Sequence, residues 1–226
     1  MLESNITKST LQFLNTLKKN NNRDWFAEHK SDFKVEEVKV KSFFNHVLEL
    51  LRTHDEIEKL KVFRIYRDVR FSKNKTAYKH NFSASFSRAG QHRRGGYYLQ
   101  IEPGNSFIAT GFWNPEKNDL LRIRKEWEID TSDLVDIIDN EKFKKVWGPL
   151  VGDELKTAPK GFDKEDPNIE FIRKKQFIFV KSFTDKEVLT NDFAKQVNDC
   201  FVTIRPYFDL MSNILTTNLN GESLLD

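Results

Sequence analysis

The side chains most suited to binding a ligand are concentrated in one basic stretch, residues 61–94. It holds ten lysine or arginine residues and a single acid, Asp68, which gives a local charge of +9. The rest of the 226-residue chain carries 27 bases against 33 acids. Local charge asymmetry says more about partners than total charge does, so we expect a ligand to bind here. The bases are Lys61, Arg64, Arg67, Arg70, Lys73, Lys75, Lys79, Arg88, Arg93 and Arg94.

Polar and apolar residues alternate between positions 63 and 71. Because alternate side chains of an extended segment share a face, this pattern predicts a strand with one polar face and one core face. The polar face would comprise Arg64, Tyr66, Asp68 and Arg70, and the core face Phe63, Ile65, Val69 and Phe71. Arg67 falls on the core face, where an unpaired guanidinium is costly. It must therefore pair with a carboxylate or border a wet cavity.

A polar turn, residues 72–79, follows this strand. Its backbone amides and ammonium groups can converge on an anion. The sequence therefore predicts a basic pocket, walled by Tyr78 and Tyr98, for a phosphorylated or carboxylated small molecule. Asp68 would hold the cations in position, and its positive neighbours should keep its pKa low. The candidate anion-binding residues are Arg64, Arg67, Asp68, Arg70, Lys75, Tyr78, Lys79 and Tyr98, with Arg124 and Lys174 as further members.

Three other interpretations stay open. The cations can form a solvated face on which Asp68 neutralises Arg64 or Arg70. They can also bind nucleic acid or an acidic partner over an open surface, with tyrosines for base stacking; this alternative is less favoured because no nucleic-acid motif is present. Finally, the chain can be a structural protein without a ligand. Neither the oligomeric state nor the presence of an enzymatic activity follows from these residues.

Standard catalytic and cofactor motifs are absent from the sequence. There is no phosphate-binding loop, dinucleotide fingerprint, nucleophile elbow or zinc-protease helix motif. The five histidines, at positions 29, 46, 54, 80 and 92, lack metal-ligand spacing. We therefore predict no metal and no cofactor, and we assign no catalytic residue. The only cysteine, Cys200, lies in a helical pattern and is interpreted as a packing residue.

The elements that position these residues are predicted from hydrophobic periodicity. Helical spacing marks segments near 11–17, 24–53, 115–128, 132–146 and 185–215. Period-two alternation marks strands at 63–71, 82–86, 97–101 and 106–113, and an apolar run at 176–183 predicts a central strand. Helices at both ends with strands between them predict an α+β fold. Its mostly antiparallel sheet would be packed by N-terminal and C-terminal helices.

The whole chain, residues 1–226, is expected to be a single domain, because the strand at 176–183 needs neighbours from the earlier part of the chain. No apolar run approaches the roughly 20 residues that span a bilayer, and residues 1–10 lack a secretory hydrophobic segment. No membrane association is therefore predicted. A lone cysteine fits a reducing compartment, so the predicted location is the cytoplasm.

Residues 64–79 resemble the signature of a widespread bacterial and fungal family of unknown function, R-x-x-R-D-x-R-F-S-x-[DN]-K-T-x-Y-K. Further similarity spans nearly the whole chain, and the resemblance implies one domain without supplying a reaction. Position 74 tends to be Asp and position 77 Pro in that pattern, whereas this chain has Asn74 and Ala77. The missing charge at Asn74 disfavours a metal site in the turn. The further segments are Asn22 with Trp25-Phe26 and His29-Lys30, Gly96 to Pro103, Gly111-Phe-Trp-x-Pro115 with 120–124, and Lys160-Gly161-Phe162 with Pro167 and 170–175.

Overall fold

A computed structural model of the protein describes residues 5–225. Residues 1–4, part of the 1–10 segment predicted to lack a secretory hydrophobic stretch, lie outside the described residues. The strands are β1 (Ile57–Val62), β2 (Phe82–Arg88), β3 (Gly96–Ile101), β4 (Ser106–Phe112) and β5 (Phe177–Phe183). They form one five-stranded antiparallel sheet in the order β1-β2-β3-β4-β5. Together with the helices this sheet makes the predicted α+β fold.

Ten helices accompany the sheet within residues 5–225. They are α1 (Lys8–Lys19), α2 (Arg23–Glu28), α3 (Lys30–Leu51), α4 (Lys117–Ile129), α5 (Ser132–Asp139), α6 (Glu141–Trp147), α7 (Ile169–Ile172), α8 (Asp185–Val188), α9 (Phe193–Thr203) and α10 (Arg205–Thr216). Three predicted helices are each divided in the structure. Asn140, for example, separates α5 from α6 and caps α6 by accepting hydrogen bonds from the backbone of Lys142 and Phe143.

Strand β5 is where the sequence prediction and the sheet differ. Its apolar faces predict a central position, but β5 is the last strand in the sheet order, so that prediction is wrong. Its burial has another cause, because aromatic side chains cover it. Trp127 packs edge-on against Phe177, and Phe143 and Tyr207 pack edge-on against Phe179.

The described chain groups into two compact units. The first comprises the described residues up to Phe86, together with Tyr98–Ile108 and Ser182–Asp199. Its core joins helices to strands through stacked rings: Phe33 lies parallel to Phe82 with ring centroids 6.0 Å apart, and Phe43 lies parallel to Phe193 at 5.6 Å. The basic stretch up to Phe86 therefore belongs to a unit whose helices α1, α2 and α3 pack together.

The second unit comprises Ser87–Tyr97, Ala109–Lys181 and the described residues from Cys200 onward. Tyr207 lies at its centre with no exposed side-chain surface, and its hydroxyl donates to the carbonyl oxygen of Phe177 at 3.2 Å. Burial raises the pKa of Tyr207, so this phenol stays protonated and keeps the hydrogen bond. Cys200 is buried in this unit, as the packing interpretation expects.

None of the helices between residues 5 and 225 combines the length and the apolar character that crossing a bilayer requires.

Candidate functional site

The connection between β1 and β2, residues 63–81, continues the antiparallel pairing of those strands. The backbone amide of Arg67 donates to the carbonyl of Ala77 at 3.0 Å, and that of Lys79 donates to the carbonyl of Ile65 at 2.7 Å. Between these bonds Tyr66 and Tyr78 form an isolated antiparallel bridge. We call residues 63–81 the basic hairpin. The prediction of a strand at 63–71 is wrong: this segment, the first arm of the hairpin, forms only an isolated bridge at Tyr66, and strand β1 lies before it at Ile57–Val62.

Tyr78 anchors the basic hairpin to the N-terminal helices. Its ring stacks on Phe26 of α2 with centroids 4.0 Å apart, and its side chain is only 5% exposed. The side-chain amide of Asn21 bonds to both the N–H and the carbonyl of Tyr78. Burial raises the pKa of Tyr78. The sequence proposes Tyr78 as a pocket wall, whereas the structure places its ring against Phe26.

The tip of the basic hairpin is ordered by short-range hydrogen bonds. Asn74 Oδ1 accepts from both the backbone N–H and the hydroxyl of Thr76 at 2.9 Å, a geometry that Asn and Asp both provide. The ammonium of Lys75 donates to the carbonyl of Val69 at 2.9 Å. The prediction that Phe71 points into the core is wrong, because its side chain is 97% exposed.

Beside the hairpin lies a cleft of about 410 Å³. Four sequence candidates line it, Arg67, Asp68, Lys79 and Tyr98, all from the first unit. Arg67 also donates to Thr76 Oγ1 at 3.0 Å and to Ser72 Oγ at 3.5 Å. The other lining residues, which sequence reasoning did not select, are His80, Asn81, Ser83 and Gln100.

Lys79 is a cleft cation that lies among other positive charges. Burial lowers the pKa of its ammonium, and the positive charges of Arg64, Arg67 and Lys61 lower it further. The ring of Phe63 lies 5.2 Å from both the Lys79 and the Lys61 ammonium nitrogens. These groups are crowded together, and each of them would gain from a nearby negative charge.

Polar side chains of β3 and its C-terminal end form a hydrogen-bonded row beside the cleft. The hydroxyl of Tyr98 donates to Gln100 Oε1 at 3.0 Å, and Gln100 Nε2 donates to Glu102 Oε2 at 2.7 Å. Burial raises the pKa of Tyr98, which a hydrogen bond with Ser83 opposes and the charge of Glu102 reinforces. The row leads from the cleft to a buried carboxylate.

The buried carboxylate of Glu102 lies beside the imidazole of His80. Glu102 Oε1 lies 2.8 Å from His80 Nδ1, an ion pair when the ring is protonated, and the Glu102 side chain is 8% exposed. Sequence reasoning missed both residues because they are 22 positions apart. A signal existed, since Tyr98, Gln100 and Glu102 recur with period two opposite the buried Tyr97.

The remaining sequence candidates have other partners. Arg70 makes a bidentate pair with Asp68 through Nε at 3.0 Å and Nη2 at 2.7 Å, and this bonding lowers the pKa of Asp68 as expected. Arg64 acts on Asp68 and Lys79 through its charge. In the second unit, Arg124 donates to the carbonyls of Ile172 and Lys174. Lys174 pairs with Glu154 at 2.8 Å.

Metal ligands are not assembled in the described part of the chain. Among residues 5–225 no group of three or more His, Cys, Asp or Glu side chains is arranged to hold a metal ion. In particular, Asn74 uses its carbonyl oxygen within the hairpin tip.

A family model described as a conserved hypothetical protein (DUF2461) matches residues 9–210. The chain belongs to the DUF2461 family. The matched range contains the basic hairpin and all eight residues that line the cleft. Searches of curated proteins and of solved structures returned no match. The DUF2461 description names no reaction, so a functional conclusion must come from the geometry.

Proposed function

We propose that the cleft binds a phosphorylated or carboxylated small molecule. The observation that carries the proposal is the state of Lys79. Its ammonium is partly withdrawn from water beside other cations, and among residues 5–225 no carboxylate lies within ion-pair distance of it. Asp68 lines the same cleft, but Arg70 holds its carboxylate. A bound anion would supply the missing countercharge.

The donors at the cleft suit an oxyanion. Arg67 offers a planar guanidinium and Lys79 a compact ammonium, and charge-assisted bonds from such groups are the strong ones in anion recognition. Tyr98, Ser83 and Asn81 add hydroxyl and amide groups at the same lining. A volume of about 410 Å³ lies within the range of small-molecule sites.

Calorimetric titration tests this proposal. The ligands would be inorganic phosphate, citrate and a panel of nucleotides and sugar phosphates. We expect Lys79→Met and Arg67→Ala each to weaken binding about 10- to 100-fold, the effect of losing a hydrogen bond to a charged group, about 1.5–3 kcal/mol. Lys79→Met is the cleaner variant, because Arg67 also bonds within the hairpin.

Lys73→Ala is the matched control for these two substitutions. It removes the same charge from the exposed tip of the basic hairpin, and Lys73 does not line the cleft. At about 0.15 M salt its effect should be under twofold because the charge is screened. The proposal fails if no ligand in the panel binds, or if Lys73→Ala weakens binding as much as Lys79→Met.

One observation favours a second candidate, the binding of single-stranded nucleic acid at the hairpin tip. Phe71 is fully exposed beside Arg70, whose guanidinium lies 6.0 Å from its ring centroid. Exposed aromatics among cations are the ingredients of a base-stacking surface. Under this candidate, Phe71→Ala would weaken binding of a labelled oligothymidylate at least tenfold, and affinity would fall steeply with salt. Salt-independent or unaltered binding would remove it.

We also propose a domain organisation and a cellular location for the chain. Residues 1–226 are proposed to act as one domain, supported by a family match that runs through both compact units. A cytoplasmic location is proposed because the chain has a single cysteine, which is buried. Thiol labelling of the native protein in cell extracts, compared with urea-unfolded samples, would show whether Cys200 is kept as a free thiol.

A further inference from the structure

The contact between His80 and Glu102 is a recurrent arrangement in proton-transfer chemistry. A buried carboxylate beside one ring nitrogen fixes the orientation and tautomer of an imidazole, and leaves the other nitrogen available. Here the buried Nδ1 of His80 lies 2.8 Å from Glu102 Oε1, at ion-pair distance but without the angles of a hydrogen bond. His80 also lines the cleft, and its side chain is 33% exposed. Nε2 is therefore the ring nitrogen left for a bound molecule.

Glu102 is held rigidly enough to act as an orienting group. Its Oε2 accepts from Gln100 Nε2 at 2.7 Å and from Asn105 Nδ2 at 3.2 Å. Its backbone N–H donates to the hydroxyl of Ser106 at 3.0 Å, and that hydroxyl donates to the Glu102 carbonyl at 2.9 Å. Rotation of the carboxylate away from the imidazole would break the bonds from Gln100 and Asn105.

We propose that His80, oriented by Glu102, is the acid–base residue for hydrolysis of a phosphate monoester bound in the cleft. This inference rests on the proposed anion site. His80 would be a catalytic residue, because its ring contacts the reacting water. Glu102 would be a positioning residue that acts through His80.

The step balances with water as the only co-reactant. Nε2 of neutral His80 takes a proton from water as the water oxygen bonds to phosphorus. The ester P–O bond breaks, and its electron pair goes to the leaving oxygen. The leaving oxygen, which lies in line with the attacking water on the far side of phosphorus, takes a proton from solvent, and the imidazolium returns its proton to solvent. The products are an alcohol and inorganic phosphate. Arg67 and Lys79 stabilise the negative charge on the non-bridging oxygens.

The charges around His80 favour a monoester over a diester. Glu102 faces its Nδ1 from the end of β3, and Arg67, Asp68 and Lys79 of the basic hairpin line the same cleft. Because Arg70 neutralises Asp68, two cations remain to face the ligand. Two cations match the dianion of a monoester better than the single charge of a diester.

Hydrolysis of para-nitrophenyl phosphate tests the inference on the full-length protein. We expect turnover by the wild type and a loss in kcat of roughly 100- to 10,000-fold in His80→Gln, the usual range for an acid–base residue. His46→Gln is the matched control, since His46 is exposed on α3. It should retain wild-type turnover. The same variants purified identically also exclude a contaminating phosphatase.

Glu102→Gln separates positioning from simple structural support. The amide can still accept from Gln100, but its NH₂ would face Nδ1 and place the ring proton on Nε2, where it blocks the base. We expect a loss in kcat larger than the change in KM. A change confined to KM, with kcat kept, would refute the positioning role.

Parallel titration with inorganic phosphate separates the proposed anion site from the proposed hydrolysis. Phosphate binding without turnover of the monoester would overturn this inference and leave the anion site standing. If phosphate does not bind and the monoester is not turned over, both the anion site and the proposed hydrolysis are overturned. Turnover that His80→Gln retains, or a preference for bis-para-nitrophenyl phosphate or para-nitrophenyl acetate, would overturn the assignment of His80 or of the substrate class.

Discussion

Asn21 pairs with the backbone of Tyr78 as a neighbouring strand would, through both ends of its side-chain amide. Its Nδ2 donates to the Tyr78 carbonyl at 2.9 Å, and its Oδ1 accepts from the Tyr78 N–H at 3.0 Å. Asn21 lies between α1 and α2, so this pair of bonds ties the N-terminal helices to the basic hairpin. The two bonds hold the hairpin at Tyr78, the residue before Lys79.

The first prediction concerns this link. Asn21→Ala leaves two partly buried backbone groups unpaired, which should lower the free energy of unfolding by about 1–3 kcal/mol. Urea denaturation measures the loss, and amide hydrogen exchange should accelerate at Lys79. Asn45→Ala is the control, because Asn45 is exposed and bonds only to its own helix. Equal effects of the two substitutions would contradict a special role for Asn21.

The second prediction follows from the lowered pKa of Lys79. The unfolded chain binds more protons between that lowered pKa and the ordinary lysine value of 10.5. The free energy of unfolding should therefore rise with pH across this window. Lys79→Met should flatten this dependence. Urea denaturation at a series of pH values compares the two proteins, and identical slopes would be inconsistent with the electrostatic account.

A bound anion should counteract the lowering of the Lys79 pKa. NMR titration of Cε-labelled lysines should show Lys79 losing its proton at lower pH than the exposed lysines. Saturating inorganic phosphate should then raise the pKa of Lys79, because a negative neighbour stabilises the ammonium. Lys73 provides the internal reference. A Lys79 signal that does not respond to phosphate would place the anion elsewhere.

The third prediction concerns the role of Asp68. The sequence suggests that it positions the cations, but the structure pairs it with Arg70, which does not line the cleft. Asp68→Asn removes a negative charge from the lining and keeps the size of the side chain, although its Nδ2 cannot accept the bond that Asp68 Oδ2 accepts from Arg70. Phosphate affinity should therefore rise by a few-fold at low salt. Weaker binding in calorimetry would instead support the positioning role.

The alternation that predicts β3 also explains what the sequence could and could not show. Period two correctly separated Tyr97 from Tyr98, because a sheet surface enforces it. The same rule was wrong at Phe71, since a hairpin tip has no covering layer. The contact between His80 and Glu102 depends on how the hairpin returns to β3. Period-two spacing places Glu102 on the same face as Tyr98 and Gln100, but it does not bring His80 to that face.

The last prediction concerns Gly111, the first residue of the segment Gly111-Phe-Trp that resembles the family pattern. Gly111 in β4 has a φ of +111°, and an added Cβ would lie 2.2 Å from the carbonyl oxygen of Phe177 in β5. Gly111→Ala should therefore cost about 3 kcal/mol or more, since backbone must move in a packed sheet. Gly104→Ala is the control: its φ is +71°, but its surroundings are open, so only the left-handed strain of about 1–2 kcal/mol applies. Equal losses in urea denaturation would show that β4 and β5 can separate at Gly111 without cost.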